Sequence, residues 1–337
     1  MSTQIPNLQE AVALAKKAAA NGTKHSAHIT FSLAGKQYEA VSFRAVEAIS
    51  HCGQTTLIIL VDRAEFFRPG FLASVMGKPG LVKLTDVAGN IRTLAGSIFA
   101  GRNLDINSRG QVRLELTLQP RLFELMQASD KRVFHGLSVP ELVKFVLDEH
   151  SIPRDRARWS LKHPYPTRPY TLQYGESDLA FIERLLASVG IAYFFTEHEG
   201  ADVIQFSDDN SSFQLLDLGP IPFVSDAGLD KPIACFNGFK HGLRDVAVHA
   251  QIRDYDYTKP EDLIKAGIVE ANDAAIVYYG TGTGSQLEAE VRHRSIEERY
   301  ALEALDIQIT GSVAGLTLAP YSASCTPKSN TVWIIWS

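Results

Sequence analysis

Only three cysteines, Cys52, Cys235 and Cys325, occur in 337 residues. They are widely spaced, which provides no disulfide framework and suits a reducing compartment. Long hydrophobic runs are also missing. The most apolar stretch, residues 11–20, is interrupted by Lys16-Lys17 and lacks a following small-residue cleavage site. It therefore reads as a short amphipathic helix or tail, with no secretory signal and no stable membrane insertion. An excess of positive charge is absent too: 33 Lys and Arg face 38 Asp and Glu, a net charge of −5. A broad nonspecific nucleic-acid footprint needs a basic surface, so no nucleic-acid partner is expected. The local cluster Arg154-Asp155-Arg156-Ala157-Arg158 contains an acid and reads as a solvated loop.

Catalytic patterns fail in turn. Residues 280–284, GTGTG, lack the lysine of a phosphate-binding loop and the spacing of a dinucleotide fingerprint, so they read as a turn. His25-x-x-His28 has no third ligand to complete a metal site. Asp208-Asp209 are adjacent on an extended chain, where neighbours point to opposite faces, and are expected in a solvated turn. The same geometry separates His51 from Cys52 as base and nucleophile. No G-x-S-x-G element is present. The reading is a non-enzyme with no catalytic, cofactor-binding or metal-binding residues and no cofactor.

What is present describes a globular chain, 45% hydrophobic and 21% charged, long enough for two domains. Strands are expected at 27–33, 38–46, 55–61, 81–84, 91–100 and 111–118, with turn chemistry at Gly35-Lys36, 88–90 and 108–110. Six short strands in so short a span favour a compact barrel or sandwich. After Pro120 the character changes. Ser138-Val139-Pro140-Glu141 is a capping box, and Leu142, Val143, Val146 and Leu147 form the stripe of a helix. A proline-rich loop follows at 163–169.

Residues 170–195, YTLQYGESDLAFIERLLASVGIAYFF, then combine three signals. Residues 173–176 read as a turn, and Ser177-Asp178 as N-cap and first-turn acid. Leu179, Ile182, Leu185, Leu186 and Val189 are the buried stripe, with Gly190 as C-cap. Asp178 is expected to act on the helix dipole and Glu176 on nearby backbone amides. Residues 191–195 and 203–206 should form a hairpin around the turn at 199–202. Further on, 246–257 and 275–279 are candidate strands. Ser285-Gln286-Leu287-Glu288 is a second capping box, opening a charged helix to about Tyr300, and 305–313 returns to strand.

The order of residues in 170–195 closely resembles the hub region of VgrG proteins, the spike-forming components of bacterial type VI secretion systems. The resemblance extends to Glu47-Ala48-Ile49-Ser50 within 40–50, to 116–133 with Arg132-x-Phe134, and to residues 254–260, DYDYTKP. These elements run in the family order from roughly residue 40 to 315.

The resemblance implies a mainly β fold with an α+β insertion and two β-barrel domains of the phage tail-hub type. Residues 1–24 would be a tail or short helix and 25–125 the first barrel. Residues 126–240 would be the α+β region and 241–337 a second barrel, incomplete at its C-terminal end. It further implies a homotrimer that caps a hexameric Hcp tube, meets baseplate components and carries effectors. Such a hub would be cytoplasmic before firing and then secreted through the apparatus. A tail hub of a contractile phage is the alternative, and a spike-associated hydrolase a more distant one. Beyond Gly315-Leu316-Thr317 the family continues into a needle, whereas 321–337 show little family character. Residues 331–337, TVWIIWS, would leave an apolar end unless they pack as a final strand.

Overall fold

The computed structural model describes residues 28–85, 91–209, 223, 235–245, 249–256, 259–267, 275–280, 284–312 and 334–336. The expected helix at 11–20, His25, the turn at 88–90 and most of 280–284 lie outside these residues.

All six strands expected in the first region are present: β1 (His28–Leu33), β2 (Lys36–Ala48), β3 (His51–Asp62), β4 (Pro79–Thr85), β5 (Ile91–Ile106) and β6 (Gln111–Gln119). Alternation sets their inner face. In β6, for example, Val112, Leu114, Leu116 and Leu118 are buried while the residues between them are half-exposed. The strands run in the order β1-β4-β5-β6-β3-β2, and a β1–β2 pairing closes the ring. Every neighbouring pair is antiparallel. Closure removes the sheet edges and encloses one core around Phe31, Leu57, Ile59, Val82 and Leu114. At the β1–β2 hairpin Ala34 and Gly35 have φ of 49° and 80°, the left-handed pair that a two-residue turn requires. Two short helices, α1 (Arg63–Phe66) and α2 (Phe71–Val75), were not anticipated. Their anchor is Glu65, which accepts a hydrogen bond from Tyr38 Oη at 2.8 Å and pairs with Lys36.

The middle of the chain is α+β. It holds β7 (Ser129–Leu137), α3 (Val139–Glu149), β8 (Ala157–Ser160), β9 (Arg168–Ser177), α4 (Asp178–Val189), β10 (Ala192–His198) and β11 (Ala201–Ser207). The Ser138 box is made: the Glu141 carboxylate accepts from the Ser138 N–H at 2.9 Å and from its hydroxyl at 2.6 Å. Ser177 Oγ accepts from Ala180 N at 3.1 Å, and Gly190 ends α4 at φ 73°, as its sequence position requires. The hairpin β10–β11 forms as expected, and β8 adds to β11 in parallel.

Two local readings are corrected. Residues 173–176 belong to β9, paired with β7 through a bulge opposite Asp130 and Lys131, because Gly175 at φ 65° kinks the strand without reversing it. The Arg154–Arg158 cluster is a short 3-10 turn that runs into β8, with Arg154 paired to Asp148 and Arg156 donating to the His198 carbonyl. The core of this region joins α3, α4, β10 and β11 around Val143, Phe181, Leu185 and Phe206.

The last region contains β12 (Cys235–Leu243), β13 (His249–Asp256), β14 (Lys259–Ala266), β15 (Ala275–Tyr279), α5 (Gln286–Ala304) and β16 (Leu305–Ser312). Strand β12 pairs with β16, while β14-β13-β15 form a separate three-stranded sheet in which β13 and β15 are parallel. Among the described residues these strands form two separate sheets rather than a ring. Half of the second capping box forms at α5: Glu288 N donates to Ser285 Oγ at 3.2 Å, while the Glu288 carboxylate accepts from Gly284 N, one residue before the cap, at 3.1 Å. A final strand, β17 (Ile334–Trp336), pairs with residues 45–47 of β2.

Candidate functional site

The conspicuous chemistry lies where two sequence elements 46 residues apart meet. Arg132, on β7, donates Nη2–H to Asp178 Oδ1 at 3.1 Å, Nε–H to Gln173 Oε1 at 2.8 Å and Nη1–H to Glu149 Oε2 at 2.6 Å. Asp178, the first residue of α4, also accepts from Gln173 Nε2 at 2.7 Å and lies 2.7 Å from His150 Nε2. Its backbone N–H reaches the Ala128 carbonyl at 2.9 Å. Four elements, β7, α3, β9 and α4, are thus tied to one carboxylate that is 5% exposed. Burial alone would raise the Asp178 carboxyl, but the Gln173 amide, His150 and Arg132 outweigh it and hold it below the usual range. Beside the network Phe134 stacks on Phe181 at 5.7 Å and meets Phe145 edge-on. Arg132 and Phe134, two residues apart on β7, therefore serve one junction from the same face of the strand.

The sequence reading placed Asp178 at a helix terminus, and so it is, but its larger role as the centre of a network was missed, as were His150, Gln173 and Glu149. Alternation would have misled here: Tyr170, Leu172 and Tyr174 are the apolar row of β9, yet they are exposed while Gln173 between them is 0% exposed. Glu176, expected on backbone amides, instead pairs with Arg184 through two contacts, at 2.5 and 3.1 Å.

Other motif residues also act as joints. Glu47 on β2 pairs with the buried Arg92 on β5, joining two strands that are not neighbours in the ring. Ser50 N donates to the Tyr193 carbonyl at 2.7 Å and Thr93 Oγ1 to Glu197 at 2.5 Å, tying barrel to α+β region. Arg168 meets Glu288 at 3.0 Å, with both side chains largely buried, so β9 is fastened to α5.

Asp208 and Asp209 do not converge on a common point. The Asp208 side chain is fully buried rather than solvated. It accepts from Lys162 N, His163 N, His163 Nδ1 and Tyr165 Oη at 2.8–3.0 Å, pinning the proline-rich loop. Burial opposes ionisation there, and those donors overcome it, keeping the carboxyl below its ordinary value. Asp209 turns to Lys162 Nζ at 2.9 Å. His28 stands at the exposed start of β1.

Cys52 is held away from reactivity. Burial pushes its thiol up to about 12, and Tyr193 Oη lies 3.9 Å from Sγ. At pH 8 this leaves roughly a thousandfold less thiolate than an ordinary cysteine. With Cys235 and Cys325 replaced by serine, Cys52 is expected to react with an aromatic disulfide reagent at least a hundredfold more slowly in the native protein than in urea. Equal rates would remove this account of the thiol.

Among the described residues no group of three or more His, Cys, Asp or Glu side chains is arranged to hold a metal ion, and no helix is long and apolar enough to cross a membrane.

Comparison with known proteins gives consistent matches. The phage tail baseplate hub (GPD) family matches residues 46–321. The type VI secretion system spike protein VgrG4b of Pseudomonas aeruginosa is 33% identical over 251 residues, covering 73% of this chain and 30% of that protein. VgrG5 of the same organism is 31% identical over 273 residues, covering 78% and 33%. The chain spans about a third of the length of these curated relatives. The actin cross-linking toxin VgrG1 of Vibrio cholerae is 33% identical over 148 residues, which is 13% of that protein. Among solved structures, the E. coli c3393 protein, a component of the type VI secretion system, matches with a TM-score of 0.61 at 22% identity. That match covers 86% of this chain and 65% of the other. A 43 kDa tail protein of prophage MuSo2 from Shewanella oneidensis shares the fold with a TM-score of 0.55 at 11% identity, covering 84% and 82%.

Proposed function

The chain belongs to the phage tail baseplate hub family and is VgrG-like, and from that premise we propose that it is the structural hub of a type VI secretion spike. The carrying observation is the family match over 46–321, which takes in both partners of the Arg132–Asp178 junction. In this reading three copies form a homotrimer that caps a hexameric Hcp-like tube. The trimer meets baseplate components, carries effectors and leaves the cell through the apparatus. The proposed division remains a first barrel at 25–125, an α+β region at 126–240 and a second barrel from 241. Two related barrels per chain in three copies provide six positions, which meets a sixfold tube by repeated equivalent contacts. The work is mechanical: the polar joints are interior and bind elements to each other rather than to a substrate.

A related reading puts the chain in a contractile phage particle, since the family name is that of a phage hub. Purified chain mixed with Hcp hexamers and, separately, with phage tube protein tests both by co-sedimentation. Binding to Hcp alone is the expected result. Binding to phage tube protein alone transfers the assignment, and binding to neither counts against a tube-capping hub.

A further inference from the structure

Strand β2 outruns the strand that closes the barrel on it. It has 13 residues and β1 has six, and β1 pairs only with residues 36–39, Thr30 lying opposite Glu39. His28 and Ile29 stay with Thr85 and Leu84 of β4 instead. Strand β3 lines the other edge of β2 between Ala40 and Ala48. The edge of residues 40–47 that faces away from β3 thus runs on beyond β1. Strand β17 lies on it, antiparallel and in line with β1, with residues 334–336 opposite Glu47, Val46 and Ala45. Among the described residues no strand lies across that edge at 40–44, where Val41 is 53% exposed.

The barrel is also incompletely filled behind this edge. Arg92 and Glu47 span its end by side chains, and beside them a cavity of about 40 Å³ is lined by Val46, Leu94, Gln119 and Phe195. Gln119 is 8% exposed, and its Oε1 has no hydrogen-bond partner. Buried acceptors are ordinarily satisfied, so the wall is under-packed at this point.

We infer that the free edge of β2 is a strand-acceptor site for an extended segment of another polypeptide, with β17 as a short resident that such a segment displaces. An open row of backbone donors and acceptors is a template for an added strand. The resident covers three of the eight positions between 40 and 47. A longer segment continues past Arg44 toward the start of β1 and gains ladder bonds that β17 does not make. The resident also indicates the chemistry. Residues 331–337, TVWIIWS, are uncharged and rich in β-branched and aromatic side chains, which suit a pleated surface. In the β17 register the next residue of an incoming strand stands opposite Arg44, which is exposed and has no carboxylate partner among the described residues. The preferred partner is therefore an uncharged β-branched and aromatic run followed by an acid. The site does not depend on the hub reading.

The test uses the full chain and a dye-labelled peptide, KKTVWIIWEG. Ile334→Pro combined with Ile335→Pro disables the resident, because successive N–H groups alternate sides and one of the two faces β2. By fluorescence anisotropy the double variant should bind the peptide at least tenfold more tightly than the parent. Bound peptide should slow hydrogen exchange at residues 40–47 and leave the β6 amides unchanged. In the double-variant background, Arg44→Glu should reverse the preference, favouring a peptide with lysine in place of its glutamate. A reversal reads the register, which a general loss of structure would not produce. No binding to the double variant, equal affinity for variant and parent, binding without protection at 40–47, or a preference unchanged by Arg44→Glu each overturns the proposal. A parent that self-associates while the double variant stays monomeric makes a second copy the occupant and overturns it too. Co-sedimentation with Hcp decides the hub reading separately from all of these.

Discussion

Asp178→Ala should cost about 3–5 kcal/mol of stability, the usual consequence of removing one partner from a buried ion pair. The alanine leaves Arg132, whose side chain is 20% exposed, facing a space its carboxylate filled. It also strips His150 and Gln173 of their common acceptor. Glu149 and the Gln173 carbonyl still hold the guanidinium, which argues for the lower end of the range. Asp178→Asn keeps the shape and one acceptor but loses the charge, so it should fall between parent and alanine. Urea midpoints with constant slopes would give these differences directly. The pH dependence carries a definite sign. The folded carboxyl lies below its ordinary value, so the unfolded chain binds the proton more readily. Its contribution is therefore complete above about pH 4, the ordinary aspartate value, and is lost as pH falls through the folded value. The gap between parent and Asp178→Ala should narrow steadily below pH 4. A gap that stays constant from pH 7 to pH 3, or one under about 1 kcal/mol at neutral pH, would contradict the network.

Legibility in the sequence followed distance along the chain. The Ser177 cap, the Gly190 end and the Ser138–Glu141 box are decided by neighbours within a few residues and formed as expected, as did the β10–β11 hairpin, whose turn is the two residues Glu199-Gly200 rather than 199–202. Inner-facing rows of the barrel were readable for the same reason, since period-two alternation needs no knowledge of the partner strand. Strand β14 was not readable. Its sequence KPEDLIKA has four charged residues and a proline, and it becomes a strand because Ile264 and Ala266 reach the α5 core from a sheet edge. The polar joints were hidden for a different reason. Arg132 with Asp178, Arg168 with Glu288 and Asp208 with the loop at 162–165 are pairings between distant segments, and nothing local distinguishes them from solvated charges. Asp208 shows the error most clearly: Asp-Asp-Asn-Ser-Ser has the composition of a surface turn, yet the first of its acids is fully buried.

Phe181→Ala should be comparably costly, about 3–5 kcal/mol, with a different spatial signature. Phe181 is 0% exposed and lies between the Phe134 ring, 17° from parallel, and the α3–α4 core. Truncation removes the transfer energy of the ring and leaves a cavity whose floor is the ribbon β7–β9. That ribbon has two strands, which are marginal without a packed face, and the Phe134–Phe181 stack supplies part of it. Amides of β7 and β9 should therefore exchange hydrogen markedly faster in the variant. Amides of β3 and β6 should keep their protection, because the barrel has a separate core that shares no residue with the one around Phe181. Phe181→Leu, which refills most of the volume, should recover more than half of the loss. Barrel amides that accelerate in step with the ribbon would mean the two cores unfold as one unit. The joints at Ser50–Tyr193 and Thr93–Glu197 would then be strong enough to couple them. Either result measures how stiffly the first barrel is held to the region carrying the Arg132–Asp178 junction, the property a hub under contraction force most depends on.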